Sequence, residues 1–175
     1  IEGILKFQII NNKNNIDFGN KKVKKTEKQT LVNNVFNSVA DKYDLMNDLT
    51  SLGIHRLWKD SLINWLAPQP YQKLADIAGG TGDISVKFLL AGGCSAHIID
   101  INKEMITKGK LKNNNNNNLS WTIASAENLP MADNSYERAS MGFGLRNITN
   151  RVLALEEVYR IPVSYTHLRA HETYD

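Results

Sequence analysis

The sequence predicts an α/β fold, with parallel strands alternating with helices and further helices ahead of them. Three observations predict it. Residues 73–83, Lys-Leu-Ala-Asp-Ile-Ala-Gly-Gly-Thr-Gly-Asp, read as a short buried strand, a glycine turn and the start of a helix. Ile84, Phe88 and Leu89 then recur at helical spacing, and Gly92-Gly93 ends the helix. A second apolar run, Ala96-His97-Ile98-Ile99-Asp100, ends in an acid. An acid about 20 residues beyond a glycine turn is the spacing that sets a carboxylate on ribose hydroxyls in a β-α-β nucleotide site.

The turn has a physical logic. Gly79, Gly80 and Gly82 permit positive φ and leave no Cβ between a ligand and the backbone. Asp83 stands where a helix N-cap belongs. Two cofactor classes suit such a unit. The dinucleotide fingerprint G-x-G-x-x-G has Ser85 at its third glycine position here, so it is incomplete. Asp76, ahead of the glycines, is outside the dinucleotide code. It resembles the acid in the first motif of S-adenosylmethionine-dependent methyltransferases. A tight turn without a ligand and an NAD-dependent oxidoreductase are the alternatives.

With 175 residues, 42% of them hydrophobic, the chain is one domain or part of one. A net charge of +3 argues neither for nor against nucleic acid. The lone Cys94 excludes an intrachain disulfide and a cysteine metal cluster. His55, His97, His167 and His171 are too scattered for a ligand set, and no metal is expected. No apolar run approaches the roughly 18 residues needed to cross a bilayer.

In chain order, residues 1–30 read as a flexible basic arm with Lys21, Lys22, Lys24, Lys25 and Lys28. It is either solvated or drawn to an anionic membrane surface. Ile1 in place of a start methionine suits a chain that begins inside a longer reading frame. Residues 31–70 read as helices forming a lid or substrate wall. Leu31, Val35, Phe36 and Val39 share one face, and 41–48 are polar. Over 54–66, Ile54, Leu57, Trp58, Leu62, Trp65 and Leu66 are expected inward, with Pro68 and Pro70 ending the helix. Residues 71–162 read as part of a cofactor-binding domain. Asn102 caps a helix containing Met105 and Ile106. The six asparagines at 113–118 are low-complexity, expected to be mobile and free of chemistry. A third strand is expected over 119–124. A fourth is expected over 136–143, weakened by Arg138 and Ser140, with a turn at 133–135 before it. Residues 142–147 leave it at the carboxyl edge, where open α/β sheets bind ligands. Asn150 caps a last helix with Val152, Leu155 and Val158 on one face.

Several stretches together carry a family resemblance. They are Val35-Phe36-Asn37-Ser38-Val39-Ala40-Asp41-Lys42-Tyr43-Asp44-Leu45-Met46-Asn47-Asp48, Gly53-Ile54-His55-Arg56-Leu57-Trp58-Lys59, the glycine turn, Ala126-Glu127-Asn128-Leu129-Pro130 and Phe143-Gly144-Leu145-Arg146-Asn147. From about Phe18 to Arg160 the chain resembles the ubiquinone/menaquinone biosynthesis C-methyltransferases. The resemblance implies a Rossmann-like class I methyltransferase sheet, incomplete after about strand four, with N-terminal helices. It implies methyl transfer from S-adenosylmethionine to a ring carbon of a polyprenylated benzoquinol or demethylmenaquinol. By carry-over, Thr81, Asp100, Ser125 and Ala126 contact the cofactor, as does Gly142, where a serine is frequent in relatives. Tyr43, Arg146 and Asn147 fall at the quinol site. Tyr43, Asp44 or a water positioned by Arg146 would take the acceptor's proton. Arg146 reads as an anchor for a phenolate or for Asp44, and Asn147 as a donor to a quinol oxygen. Plainer roles stay open: a salt bridge for Arg146, core packing for Tyr43, a helix cap for Asp100.

The resemblance also implies partners and place: a quinol, a membrane surface bound peripherally, a quinone-biosynthesis complex or a homodimer. The enzyme would work on the cytoplasmic face of a bacterial inner membrane, or on the matrix side in a mitochondrion. No nucleic-acid partner is expected, because 142–147 lacks the Asn/Asp-Pro-Pro-aromatic run of base methyltransferases. Residues 163–175 carry no suitable periodicity and read as a non-native read-through tail. Cut after strand four, the sheet would keep an open edge, so the chain as written is expected to be unstable and inactive.

Overall fold

The computed structural model describes residues 15–18, 21–24, 27, 30–31 and 54–163. Strands β1 (Asn15–Phe18) and β2 (Lys21–Lys24) form an antiparallel pair, with Ile16 opposite Val23 and Phe18 opposite Lys21. The sequence predicts no strands within the arm over 1–30. The missed signal is short alternation around Gly19-Asn20, a hairpin dipeptide. Elements α1 (Ile54–Leu66), β3 (Lys73–Ile77), α2 (Asp83–Leu90), β4 (Ser95–Asp100), α3 (Lys103–Lys112), β5 (Leu119–Ile123), β6 (Arg138–Ser140) and α4 (Arg151–Arg160) follow.

Strands β3 to β6 make one parallel sheet in the order β5-β4-β3-β6. Successive strands run outward from β3 through β4 to β5, and the chain then returns to add β6 on the other side of β3. The strand order therefore reverses between β3 and β6. Ligands bind at such a reversal, outside the carboxyl ends of the strands. Beyond β6 the chain touches the sheet again at a parallel bridge between Tyr136 and Pro162.

The alternation of side chains along the strands divides the core into two layers. Leu74, Ala96, Ile98 and Leu119 face α1, α2 and α3, and pack with Ile63, Leu66, Ile84, Phe88 and Ile106. Ala75, Ile77 and Ile99 face the other way, onto Leu129, Met141, Ile148, Ala154, Val158 and Ile161. Both faces are covered, which is why β3 and β4 read as nearly unbroken apolar runs.

Several sequence expectations shift. In α1 the C-terminal half makes the contact: Ile63 and Leu66 are buried, while Leu57 and Trp65 are 65% and 47% exposed. The helix meets the sheet at one end, so a stripe along its whole length has nothing to bury against. In α4 the buried pair is Ala154 and Val158, and Val152 lies exposed. The N-cap of α2 is Gly82, at φ 83°, with Asp83 first in the helix. Strand β6 is three residues long, shorter than the expected 136–143. Its two polar residues are structural. Arg138 Nε donates to Leu66 O at the end of α1, and Ser140 is buried against Asp76. Asn102 accepts from Met105 N at the start of α3, and Asn150 accepts from Leu153 N at the start of α4, as the sequence predicts. The asparagine run forms consecutive turns, with Asn116 N donating to Asn113 O and Leu119 N to Asn116 O. Asn118 O then accepts from Ala96 N at the start of β4.

One position separates helix propensity from packing. Alanine at position 109 would favour an isolated helix by about 1 kcal/mol. A Cβ there would stand 2.4 Å from the Trp121 ring and 3.0 Å from Thr81 O. Overpacking against a ring and a backbone oxygen costs about 1–3 kcal/mol, the larger effect. Gly109→Ala is therefore expected to destabilise the chain, read as a lower denaturant midpoint at unchanged slope.

Candidate active site

The carboxyl ends of β3, β4, β5 and β6 carry the residues that the sequence singled out. Strand β3 delivers Asp76 one residue before its end, with no exposure at all. Its Oδ2 accepts from Ser85 Oγ at 2.8 Å and its Oδ1 from Ser140 Oγ at 2.9 Å. Ser140 is also its cross-strand partner on β6. The carboxylate thus ties β3 to the first turn of α2 and to β6. Burial pushes its pKa from the ordinary 3.8 up to about 6, against the opposing pull of the two serine hydroxyls. Asp76, expected among the cofactor contacts, stands beneath the turn as a support, with both carboxylate oxygens bonded to serine hydroxyls.

The turn lies directly above this carboxylate. A Cβ on Gly79 would stand 2.9 Å from Asp76 Cγ, so only glycine fits. Gly82 closes the turn by donating to Gly79 O at 2.9 Å, and Val86 N donates to Gly82 O. Gly80, at φ 57°, donates its N–H to Asp100 Oδ2 at 2.9 Å. Asp100 Oδ1 accepts from Asn102 N at 2.8 Å. The Asp100 side chain grips the glycine turn and braces the chain entering α3, whose N-cap is Asn102. Burial raises its pKa, against the opposing backbone N–H donors of Asn102, Gly80 and Ile101. Thr81, half-buried, lies between the two turn glycines.

Ser125 and Ala126 follow β5. Ala124 N donates to Asp100 O at 3.1 Å, which brings this loop alongside the β4 acid. Ser125 Oγ accepts from Glu127 N, a local turn contact. Glu127 Oε1 accepts from Thr149 N at 3.1 Å and Asn150 N at 2.8 Å, joining the β5 loop to the segment after β6. Glu157 Oε2 accepts from Leu129 N, and Arg160 donates to Leu129 O, Met131 O and Asp133. None of these clamps was legible as a site feature. Their only signal is charged residues inside otherwise apolar segments.

After β6, Gly142 is followed by Phe143 and Gly144, then a 3-10 turn at Leu145–Asn147 that carries Arg146, exposed, and Asn147, half-buried. The structure brings Gly79–Gly82, Asp100, Ser125, Ala126, Gly142, Arg146 and Asn147 to one edge of the sheet. Tyr43 and Asp44 lie outside the described residues. Asp83 links the turn to its surroundings, bonded by Lys59 Nζ of α1 at 2.8 Å and Lys112 Nζ of α3 at 3.1 Å. Burial works to raise the Asp83 pKa, but the two lysines hold it below the ordinary value.

The Asp76 tie has a pH signature. A carboxyl whose folded pKa lies above its unfolded value stabilises the fold fully below the unfolded pKa and loses that contribution as pH rises through the folded one. For Asp76 the window runs from about 3.8 to about 6, worth about 3 kcal/mol. Between pH 3.5 and pH 7 the stability difference between Asp76→Asn and the parent chain is expected to move in the variant's favour by about that amount. Urea unfolding at a series of pH values reads it, and a difference that stays constant contradicts the assignment.

Comparison with known proteins follows the same residues. The model of the ubiE/COQ5 methyltransferase family matches residues 21–172. The ubiquinone/menaquinone biosynthesis C-methyltransferase UbiE of Cereibacter sphaeroides is 45% identical over 152 residues, 85% of this chain and 61% of that protein. The protein of the same name from Brucella anthropi is 48% identical over 151 residues, 82% of this chain and 57% of that one. The chain thus spans about three fifths of the length of these curated relatives. Among solved structures, magnesium protoporphyrin IX methyltransferase (ChlM) from Synechocystis superposes with a TM-score of 0.64 over 77% of this chain and 72% of that one. At 17% identity that likeness concerns the fold. With a family match that runs from β2 through the glycine turn, the β4 acid and the loop after β6, the chain belongs to the ubiE/COQ5 methyltransferase family.

Proposed function

We propose that this chain is the donor-binding portion of an S-adenosylmethionine-dependent enzyme that methylates a ring carbon of a polyprenylated benzoquinol or demethylmenaquinol. The observation that carries the proposal is Asp100, held by the Gly80 and Asn102 N–H groups at the carboxyl end of β4. An ionised carboxylate has about four acceptor positions, so after the Asn102, Gly80 and Ile101 N–H groups it keeps room for a ribose hydroxyl. Ser85 favours this donor over a dinucleotide. It fills the third position of the dinucleotide turn and is buried with its hydroxyl on Asp76.

When bound, the cofactor supplies a methyl carbon already activated by a positively charged sulfur. The chain's own task is then placement and proton handling. Holding two reactants in line contributes on the order of 7–11 kcal/mol. Gly80, Thr81 and Gly82 shape the seat, Asp100 orients a ribose, and Ser125 and Ala126 line the adenine side. Arg146 serves as an anchor for a developing phenolate, because a guanidinium with a pKa above 12 is a poor base. Asn147 donates to a quinol oxygen, and Tyr43 or Asp44 takes the acceptor's proton.

An isoprenoid tail gains about 0.8 kcal/mol per buried methylene, so the acceptor stays in a bilayer and the enzyme must come to it. Among the described residues no helix is long and apolar enough to cross a membrane. Peripheral contact through Lys21, Lys22, Lys24, Lys25 and Lys28 is the proposed mode. Its place would be the cytoplasmic face of a bacterial inner membrane or the mitochondrial matrix side, with a quinone-biosynthesis complex or a homodimer as partner.

Calorimetric titration is expected to show uptake of S-adenosylhomocysteine and none of NAD; the reverse pattern defeats the proposal. Asp100→Ala is expected to weaken S-adenosylhomocysteine about 10- to 100-fold, since hydrogen bonds to charged groups contribute about 1.5–3 kcal/mol. Co-sedimentation with liposomes is expected to rise with anionic lipid, and equal sedimentation with neutral lipid counts against the lysine contact.

A further inference from the structure

The segment after β6 is shaped by two close approaches and one unusual backbone angle. A Cβ on Gly142 would lie 2.5 Å from Ile84 Cδ1 and 3.6 Å from Leu62 Cδ2. A Cβ on Gly144 would lie 2.5 Å from Ala78 Cβ. The segment is therefore pressed between α1, the first turn of α2 and the start of the glycine turn. Phe143, between the two glycines, has φ 61°. That left-handed region suits glycine, and a bulky L residue adopts it only where its surroundings hold it there. The Phe143 ring meets Trp58 of α1 with centroids 5.9 Å apart and planes tilted by 33°. Both residues remain partly exposed. Ala78, across from Gly144, is also left-handed, at φ 54°. Two of the positive-φ non-glycine residues thus flank the crevice between β3 and β6, where the strand order reverses.

We infer that Phe143 and Trp58 form the aromatic wall that receives the acceptor's aromatic ring, and that the left-handed backbone of Phe143 aims it. The inference rests on the methyl-transfer reading above and names the residues that select the acceptor class. An uncharged planar ring is recognised by a π-face at offset-stacking distance. The same loop carries Arg146 and Asn147 three and four residues further on, so one segment supplies an apolar face and polar groups for the ring's edge. Gly144 fixes the height of that segment, because a Cβ there would meet the Ala78 Cβ, which has no rotamer to turn aside, whereas at Gly142 only the end of the Ile84 side chain would have to move.

The test is anaerobic titration of the chain with a geranyl-substituted 1,4-naphthoquinol and, separately, with S-adenosylhomocysteine. Phe143→Leu and Trp58→Leu are each expected to weaken the naphthoquinol about tenfold while leaving S-adenosylhomocysteine within about twofold. Phe143→Tyr, which keeps the ring, is expected to retain naphthoquinol affinity. Undiminished naphthoquinol binding by both leucine variants overturns the inference, and so does an equal loss of both ligands or a loss confined to S-adenosylhomocysteine. If the parent chain binds neither ligand, the methyl-transfer reading falls and takes this inference with it. If the parent binds both and only the variant pattern fails, the aromatic wall alone is wrong.

Discussion

One buried carboxylate holds β3, the first turn of α2 and β6 in a fixed relation. Asp76 sits in the interior of β3, and its two oxygens are taken by hydroxyls from different elements, Ser85 on α2 and Ser140 on β6. Water does not reach it. Losing either hydroxyl would leave a buried acceptor unpaired, at a cost of about 1–3 kcal/mol. Gly79 folds back to within contact of the same carboxylate, so the path of the glycine turn follows from where Asp76 is held. The strand pair β3–β6, joined through Asp76 and Ser140, is also where the strand order reverses. The crevice that open α/β sheets use for ligands is thus pinned by the residue that braces the turn.

Above that tie, the loops at the carboxyl edge are held mostly by charged side chains bonded to backbone. Glu127 collects the Thr149 and Asn150 N–H groups, Glu157 the Leu129 N–H, and Arg160 the Leu129 and Met131 carbonyls. Charge-assisted bonds of this kind are roughly twice as strong as neutral ones. Lys59 and Lys112 converge on Asp83, so α1 and α3 are both fastened to the residue that follows the glycine turn. A site made of four loops keeps its shape here because each loop is fixed to a neighbour.

The β-α-β unit was legible because its signals are local. Glycines mark the turn, apolar runs mark strands buried on both faces, and Asn102 and Asn150 mark helix starts. The position of Asp100 followed from spacing, and its bond to Gly80 explains why that spacing matters. What escaped the sequence were long-range partnerships. Ser140 looked like a flaw in a strand, because its partner Asp76 lies 64 residues away. Arg138 looked the same, because Leu66 O is 72 residues away. The inward face of α1 was misplaced because periodicity gives a stripe but not how much of it meets the sheet. The β1–β2 pair was passed over because lysines mask a four-residue alternation. Residues 32–53 of the expected lid or substrate wall, with Tyr43 and Asp44 among them, lie outside the described residues, and the roles given to that pair stand as proposals.

The late entry of β6 has a consequence for assembly during synthesis. Strands β3, β4 and β5 are consecutive neighbours, so the glycine turn and its Asp100 partner can come together from a continuous stretch of chain. Strand β6 must instead travel back past two strands to reach β3, and pairings between distant segments are the slow ones. Until it arrives, Asp76 lacks its Ser140 partner and half of its crevice. A nascent chain leaving the ribosome would therefore complete the glycine turn and its Asp100 grip before the crevice beside β3 has its second wall.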